Sequence, residues 1–133
     1  MLKLSKVFPV AMAALLAVVW TTAVQAENWK RGRIYYRMVC TECHTEQAGK
    51  SISPSQMTMA EWKVYLEADK HAASGKANPS VRYYVSKEFR ESVKDTNKAA
   101  AKLIDVPDEE LYADLRAFVI KGAKDGDQPA RCQ

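Results

Sequence analysis

Two cysteines and a histidine near the start of the chain have a spacing that can do chemistry. Residues 40–44 read Cys-Thr-Glu-Cys-His, the C-x-x-C-H pattern that attaches c-type haem. Residues three and four positions apart share one face of a helical turn, so Cys40 and Cys43 can each bond a vinyl group of the same porphyrin. His44 is then directed at the iron as its proximal ligand. The motif therefore predicts one covalently bound haem c.

Other chemistry is open to the same residues. A structural zinc site needs four ligands, and the three residues of the motif could be joined by His71 or Cys132. A redox-active or structural disulfide between Cys40 and Cys43 is another alternative. A thioredoxin-type site would follow a strand in a β-α-β unit, and the sequence predicts neither.

The sixth ligand of a haem iron is less clearly marked in the sequence. His71 is the only histidine besides His44, and neutral imidazole is a common iron ligand, so His71 is the expected distal ligand. Met57 and Met59 are alternatives, although both follow His44 so closely that the chain would have to turn tightly around the haem edge. An open site, or one ligated by Cys132 or a lysine, is a further alternative.

The size and charge of the chain exclude several classes of function. Its 133 residues provide one domain. The chain carries 20 Lys and Arg against 16 Asp and Glu, and both signs are spread along it. Because nucleic-acid-binding proteins usually concentrate basic residues in a patch, we expect no nucleic-acid partner. No Ser-His-Asp arrangement, phosphate loop or carboxylate pair indicates independent catalysis, so the chain is not expected to be an enzyme.

The first 26 residues predict a cleaved secretory signal peptide. Lys3 and Lys6 precede an apolar run over residues 7–20, and small residues lead to a cleavage site after Ala26. The apolar run is shorter than the ~20 residues of a membrane-spanning helix, and no later segment is apolar enough to span. We therefore expect a soluble mature protein of residues 27–133, in the periplasm or otherwise exported.

The mature chain is predicted to be all-α, with about four helices. They are expected over residues 29–44, 58–69, 78–93 and 107–122. Thr58 and Glu61 form a capping-box pair, and Asn78-Pro79 is a helix-start signal. Apolar residues recur at helical spacing in each: Ile34, Tyr35, Met38 and Val39; Met59, Trp62, Tyr65 and Leu66; Val81, Val85, Phe89 and Val93; and Leu111, Leu115, Phe118 and Val119.

With its motif and helices in this order, the chain resembles the small monohaem cytochromes c. The resemblance rests on Gly32 and Tyr36 in the helix that leads into residues 40–44, and on the acidic start of the terminal helix over residues 108–119. It implies that the first and last helices cross and close the haem pocket, and that the protein carries electrons between redox protein partners. The sequence lacks the Met that the family usually places shortly before its last helix.

Two further functions fit the same motif. The chain could be the haem subunit of a larger periplasmic oxidoreductase, or a haem-binding sensor with an open distal site. Helical-bundle sensors place the motif near the C-terminus, whereas here it opens the mature chain, which favours an electron carrier.

Two other features bear on possible partners. Cys132 could link two chains through a disulfide. The first helix is rich in basic residues and could dock an acidic redox partner, although a solvated face is the commoner explanation. These basic residues are Lys30, Arg31, Arg33 and Arg37.

Overall fold

A computed structural model describes residues 26–71 and 77–129. Its regular structure is helical, with no strand in these two ranges, which confirms the predicted all-α class. The helices are α1 (Trp29–Tyr35), α2 (Thr41–Glu46), α3 (Met59–Ala68), α4 (Lys87–Val93), α5 (Lys98–Lys102) and α6 (Asp108–Lys121). A π-helical turn (Tyr36–Cys40) joins α1 to α2, and 3-10 turns (Pro54–Gln56 and Tyr83–Val85) precede α3 and α4. None of the helices in the described ranges is long and apolar enough to cross a membrane.

Helix α1 packs against α6 at a glycine. A Cβ atom on Gly32 would lie 2.0 Å from the backbone oxygen of Asp114, so only glycine permits this close approach. The buried Asp114 carboxylate accepts hydrogen bonds from the Asn28 N–H, at 2.6 Å, and from the Arg31 guanidinium. The first and last helices of the described residues are therefore packed together.

The hydrophobic core surrounds this contact. The buried face of the first helical run consists of residues three, four and seven positions after Gly32, namely Tyr35, Tyr36 and Val39. The expectation that Ile34 and Met38 would share this face is wrong, because both lie on another face and are 53% and 52% exposed. The predicted stripe of α6 is mostly correct: its Leu111, Leu115 and Val119 are buried, and Phe118 is partly buried.

Helix α3 has the predicted start. The Thr58 hydroxyl oxygen accepts a hydrogen bond from the Glu61 N–H at 3.3 Å, and the Glu61 carboxylate accepts one from the Thr58 N–H at 2.7 Å. Trp62 and Leu66 are buried beneath the helix. The reciprocal hydrogen bonds satisfy amides that the first turn would otherwise leave unpaired, which is why this helix could be identified from the sequence.

The first and third predicted helices differ from the structure. The first was expected as one helix over residues 29–44. The structure has a helical run from Trp29 to Glu46 that the π turn interrupts. The third was expected to begin at Asn78-Pro79, whereas α4 begins at Lys87, after a Ser86 side chain that caps it. Residues 78–85 instead form turns, in which side chains bind the backbone amides: the Asp69 carboxylate accepts from the Arg82 N–H, and side chains of the segment itself accept from the amides of Asn78, Ser80 and Tyr83. Helix α5 was not predicted and is capped by Asn97, whose side chain accepts from two amides of the helix.

A buried arginine connects the later helices. Arg90 is 0% exposed, and its guanidinium donates hydrogen bonds to the backbone oxygens of Leu103 and Ile104 and to the Asp108 carboxylate. These contacts connect α4, the end of α5 and the start of α6. A buried charge is tolerated when it is paired and hydrogen-bonded in this way.

We expect Gly32→Ala to destabilise the fold more than Gly49→Ala does. The new Cβ would collide with the Asp114 backbone, so α1 and α6 must separate and the free energy of unfolding should fall by at least about 3 kcal/mol. Gly49→Ala is the matched control. A Cβ at Gly49 meets open space, and only its φ of +60° adds strain, about 1 kcal/mol. Urea unfolding of both variants tests this, and an equal cost would contradict it.

Candidate functional site

The C-x-x-C-H residues lie where the helical run changes its pitch. Cys40 ends the π turn, and Cys43 and His44 lie in α2. The Tyr36 carbonyl accepts hydrogen bonds from the Thr41 N–H, and from the Thr41 hydroxyl at 3.1 Å, which holds the wider turn. Turns of this kind inside α-helices often occur at functional sites. The motif therefore lies on a continuous helical run. Helix α6 packs against an earlier part of the same run, at Gly32.

Both cysteines are free thiols in the structure. Cys40 packs against the hydrophobic core, and burial, together with the nearby Cys43, raises the pKa of its thiol to about 12. Burial also raises the pKa of Cys43. A raised pKa disfavours the thiolate form that disulfide exchange requires. Cys132, expected as a possible intermolecular disulfide or ligand, lies outside the described residues.

His44 and His71 come together although 27 positions separate them in the chain. Their ring centroids are 5.6 Å apart and their ring planes meet at 74°. Burial lowers the pKa of both imidazoles; the proximity of His71 and Lys50 lowers that of His44 further. A lowered pKa favours the neutral imidazole, the form that binds metal ions.

The spacing of the two rings suits a shared metal ion. Each metal–nitrogen bond to histidine is about 2 Å long, so two imidazoles on opposite sides of one ion have centroids roughly 6 Å apart. Within residues 26–71 and 77–129, no group of three or more His, Cys, Asp or Glu side chains could hold a metal ion. His44 and His71 are two possible donors that lie together. Haem iron requires no more than two axial ligands from the protein, because the porphyrin supplies the others.

Met57 and Met59, the alternative distal ligands, lie in a segment that is hydrogen-bonded to the chain after α6. Met57 and Met59 are partly buried and pack against the hydrophobic core. The Met57 carbonyl accepts a hydrogen bond from the Lys124 N–H at 2.9 Å, and the Met59 N–H donates to the Asp125 carboxylate at 2.7 Å. Their segment is thus attached to the chain that follows α6. The side chain that the structure shows against His44 is that of His71.

The backbone around His71 is held by a carboxylate that sequence reasoning did not single out. Asp69 ends α3 in the left-handed conformation, with φ of +48°. Its carboxylate accepts hydrogen bonds from the Ser80 hydroxyl, at 2.6 Å, and from the Arg82 N–H, at 2.8 Å. The His71 N–H donates to the Pro79 carbonyl at 2.7 Å. Asp69 therefore connects the end of α3, two residues before His71, to residues 80 and 82.

The ring of His71 has one unsatisfied nitrogen. Its Nδ1 is buried and has no hydrogen-bond partner of normal length in the described chain. The nearby backbone of Asn78 only partly offsets the lowering of the His71 pKa by burial. The ring contacts Tyr84, with centroids 4.8 Å apart. Sequence reasoning missed this contact because no local pattern joins the two residues.

The basic face of the first helix is smaller than its sequence suggested. Arg31 forms ion pairs with Glu110 and Asp114 of α6 and so serves the helix contact. Arg33 and Arg37 are exposed. The predicted docking face is therefore left with Lys30, Arg33 and Arg37.

No protein-family model, curated protein or solved structure matches this chain.

We expect the loop that carries His71 to be weakened by acid through Asp69. Burial alone would raise the pKa of Asp69, but the Ser80 and Arg82 hydrogen bonds and the Arg82 charge outweigh burial and hold the pKa below its usual range. A carboxylate with a depressed pKa stabilises the fold above its unfolded pKa, about 3.9, and loses this contribution as the pH falls through the folded value.

Asp69→Asn should therefore lower the thermal midpoint relative to the wild type near pH 6. The difference should begin to shrink as the pH falls below about 4, where the carboxyl of the unfolded chain binds a proton, and should vanish once the pH has fallen through the lower pKa of the folded state. The control is Asp127→Asn, which replaces an exposed carboxylate outside this loop. Thermal unfolding followed by circular dichroism measures the difference, and one that stays constant down to about pH 2.5 would contradict the role of Asp69.

Proposed function

We propose that this chain is an exported c-type cytochrome that binds one haem and carries single electrons between redox protein partners. One observation carries the proposal: His44 of the C-x-x-C-H segment has its ring 5.6 Å from that of His71. The attachment motif then lies beside a second imidazole that could bind the iron. The pairing of α1 with α6 gives further support, because it holds the segment that bears the motif.

The proposal gives one role to the two cysteines, Cys40 and Cys43, and another to the two histidines, His44 and His71. Cys40 and Cys43 tether the porphyrin through thioether bonds, and this attachment uses their thiols, which are free. His44 and His71 would bind its iron. Haem bound in this way supplies a reversible one-electron change at its iron. With both axial positions taken by protein side chains, there is no vacant position for a substrate, which favours electron transfer over catalysis or gas sensing.

The identity of the distal ligand also bears on the redox potential. Axial ligands control haem potentials over a span of about 0.8 V, and histidine in place of methionine lowers the potential. We therefore propose a low-potential carrier. The signal peptide predicted over residues 1–26 supports placing it outside the cytoplasm, where c-type haem attachment and the proposed partners would be found.

Covalent haem attachment should depend on the two motif cysteines and not on the third. Expressed as the full chain in a host that matures c-type cytochromes, the wild type should carry one haem by intact mass and give a pyridine haemochrome spectrum. The Cys40→Ala/Cys43→Ala double variant should carry no covalent haem. Cys132→Ala is the matched control and should retain it. A wild-type protein without haem, or one that binds zinc in equal amount, would contradict the proposal.

The reduced protein should bind carbon monoxide slowly, because CO can bind only after His71 has left the iron. His71→Ala should bind CO at least about tenfold faster, since the apparent rate follows the fraction of protein with an open site. Stopped-flow absorbance at the Soret band measures this. Fast CO binding by the wild type would instead support a haem sensor with an open distal site.

A further inference from the structure

The ring of His71 packs against a neighbouring aromatic ring and lies near the backbone of Asn78. A histidine that binds a metal normally donates its second ring nitrogen to a carboxylate, carbonyl or water, and this hydrogen bond fixes the ring. The Nδ1 atom of His71 is buried without such a partner in the described chain. Its ring lies against the ring of Tyr84 instead, with centroids 4.8 Å apart and planes at 50°. The orientation of His71 therefore depends on the position of Tyr84.

Tyr84 is fixed at two further points. Its hydroxyl oxygen accepts a hydrogen bond from the Asn78 N–H at 2.7 Å, inside the loop that carries His71. Its backbone carbonyl accepts a hydrogen bond from the Tyr35 hydroxyl. Tyr35 is 0% exposed and ends α1, five residues before Cys40. Tyr84 thus connects the His71 loop to the helical run that bears the C-x-x-C-H motif.

Neighbouring aromatic rings restrict the movement of Tyr84. The Phe89 ring lies 5.1 Å from that of Tyr84 and the Tyr83 ring lies 5.3 Å away, both nearly perpendicular to it. Aromatic pairs in this edge-to-face geometry attract each other beyond their simple burial. The Tyr84 ring therefore packs against α4, and the Tyr84 backbone carbonyl is bound by α1.

We propose that Tyr84 is a positioning residue that keeps His71 opposite His44, an inference that rests on the haem ligation proposed above. It touches His71 through its ring and reaches the motif-bearing helix through its carbonyl. Loss of the ring should increase the fraction of protein in which His71 has left the iron. Haem attachment should be unaffected, because Cys40 and Cys43 are not involved.

The test uses the reduced holoprotein and carbon monoxide. Tyr84→Leu removes the ring against His71, and we expect CO to bind about tenfold faster than in the wild type, with unchanged covalent haem. Phe118→Leu is the matched control, because it removes a partly buried ring whose aromatic contact is with Tyr36; it should bind CO at nearly the wild-type rate. An unchanged rate in Tyr84→Leu, or an equal increase in both variants, would overturn the proposal.

A milder pair of variants decides the matter if Tyr84→Leu fails to fold. Tyr35→Phe removes only the hydroxyl that donates to the Tyr84 carbonyl, and CO binding should become at least about threefold faster. Tyr36→Phe removes the adjacent hydroxyl, which is buried without a hydrogen-bond partner in the described chain, and should leave the rate unchanged. Equal rates in Tyr35→Phe and the wild type would overturn the proposal.

The same measurements separate this inference from the proposed function. If the wild type carries no haem, or binds CO as fast as His71→Ala, both proposals are wrong. If the wild type carries haem and binds CO slowly, but the rate is unchanged in Tyr84→Leu or, where that variant does not fold, in Tyr35→Phe, only the positioning role of Tyr84 is wrong.

Discussion

The close approach of α1 and α6 at Gly32 is the constraint on which the rest of the structure depends. Because a side chain at this position would collide with the Asp114 backbone, the two helices can meet only through a glycine. The buried Asp114 carboxylate then binds the start of α1 through Asn28 and Arg31. This contact fixes the helical run that ends in Cys40, Cys43 and His44. Everything proposed for the site requires that run to be rigid.

His71 is connected to the segment that bears His44 by contacts between residues far apart in the chain. His71 belongs to a loop that Asp69 closes through Ser80 and Arg82, and Tyr84 connects this loop to α1. The buried Arg90 connects α4, α5 and α6 behind it. The two imidazoles are thus presented by two separately anchored segments. This arrangement would suit the proposed electron transfer, because a haem with two fixed axial ligands would exchange electrons with little rearrangement.

The features that could be predicted from the sequence are those with a local cause. The capping box of Thr58 and Glu61 satisfies amides within one turn, and the acidic first turn of α6 follows from the helix dipole. The C-x-x-C-H motif is equally local. For the same reason, the start of α4 was misplaced: Asp69 binds the Arg82 amide from 13 residues away, and no short window of sequence contains that contact.

The contacts around His71 could not be predicted for a related reason. Its proximity to His44 could be expected only once haem was assumed, and its packing on Tyr84 depends on how the intervening loop closes. Tyr35, Tyr36 and Val39 face the core while Ile34 and Met38 do not, because the face that contains Gly32 is the one that packs against α6; no local pattern identifies that face. Residues whose roles depend on tertiary packing were therefore the ones that sequence reasoning missed.

The identity of the two axial ligands is the central claim, and near-infrared magnetic circular dichroism of the oxidised holoprotein tests it most directly. The position of the charge-transfer band differs between bis-histidine, histidine–methionine and high-spin haem. The account predicts a bis-histidine band in the wild type that disappears in His71→Ala. A histidine–methionine band, which would point to Met57 or Met59, or a high-spin signature in the wild type would contradict it.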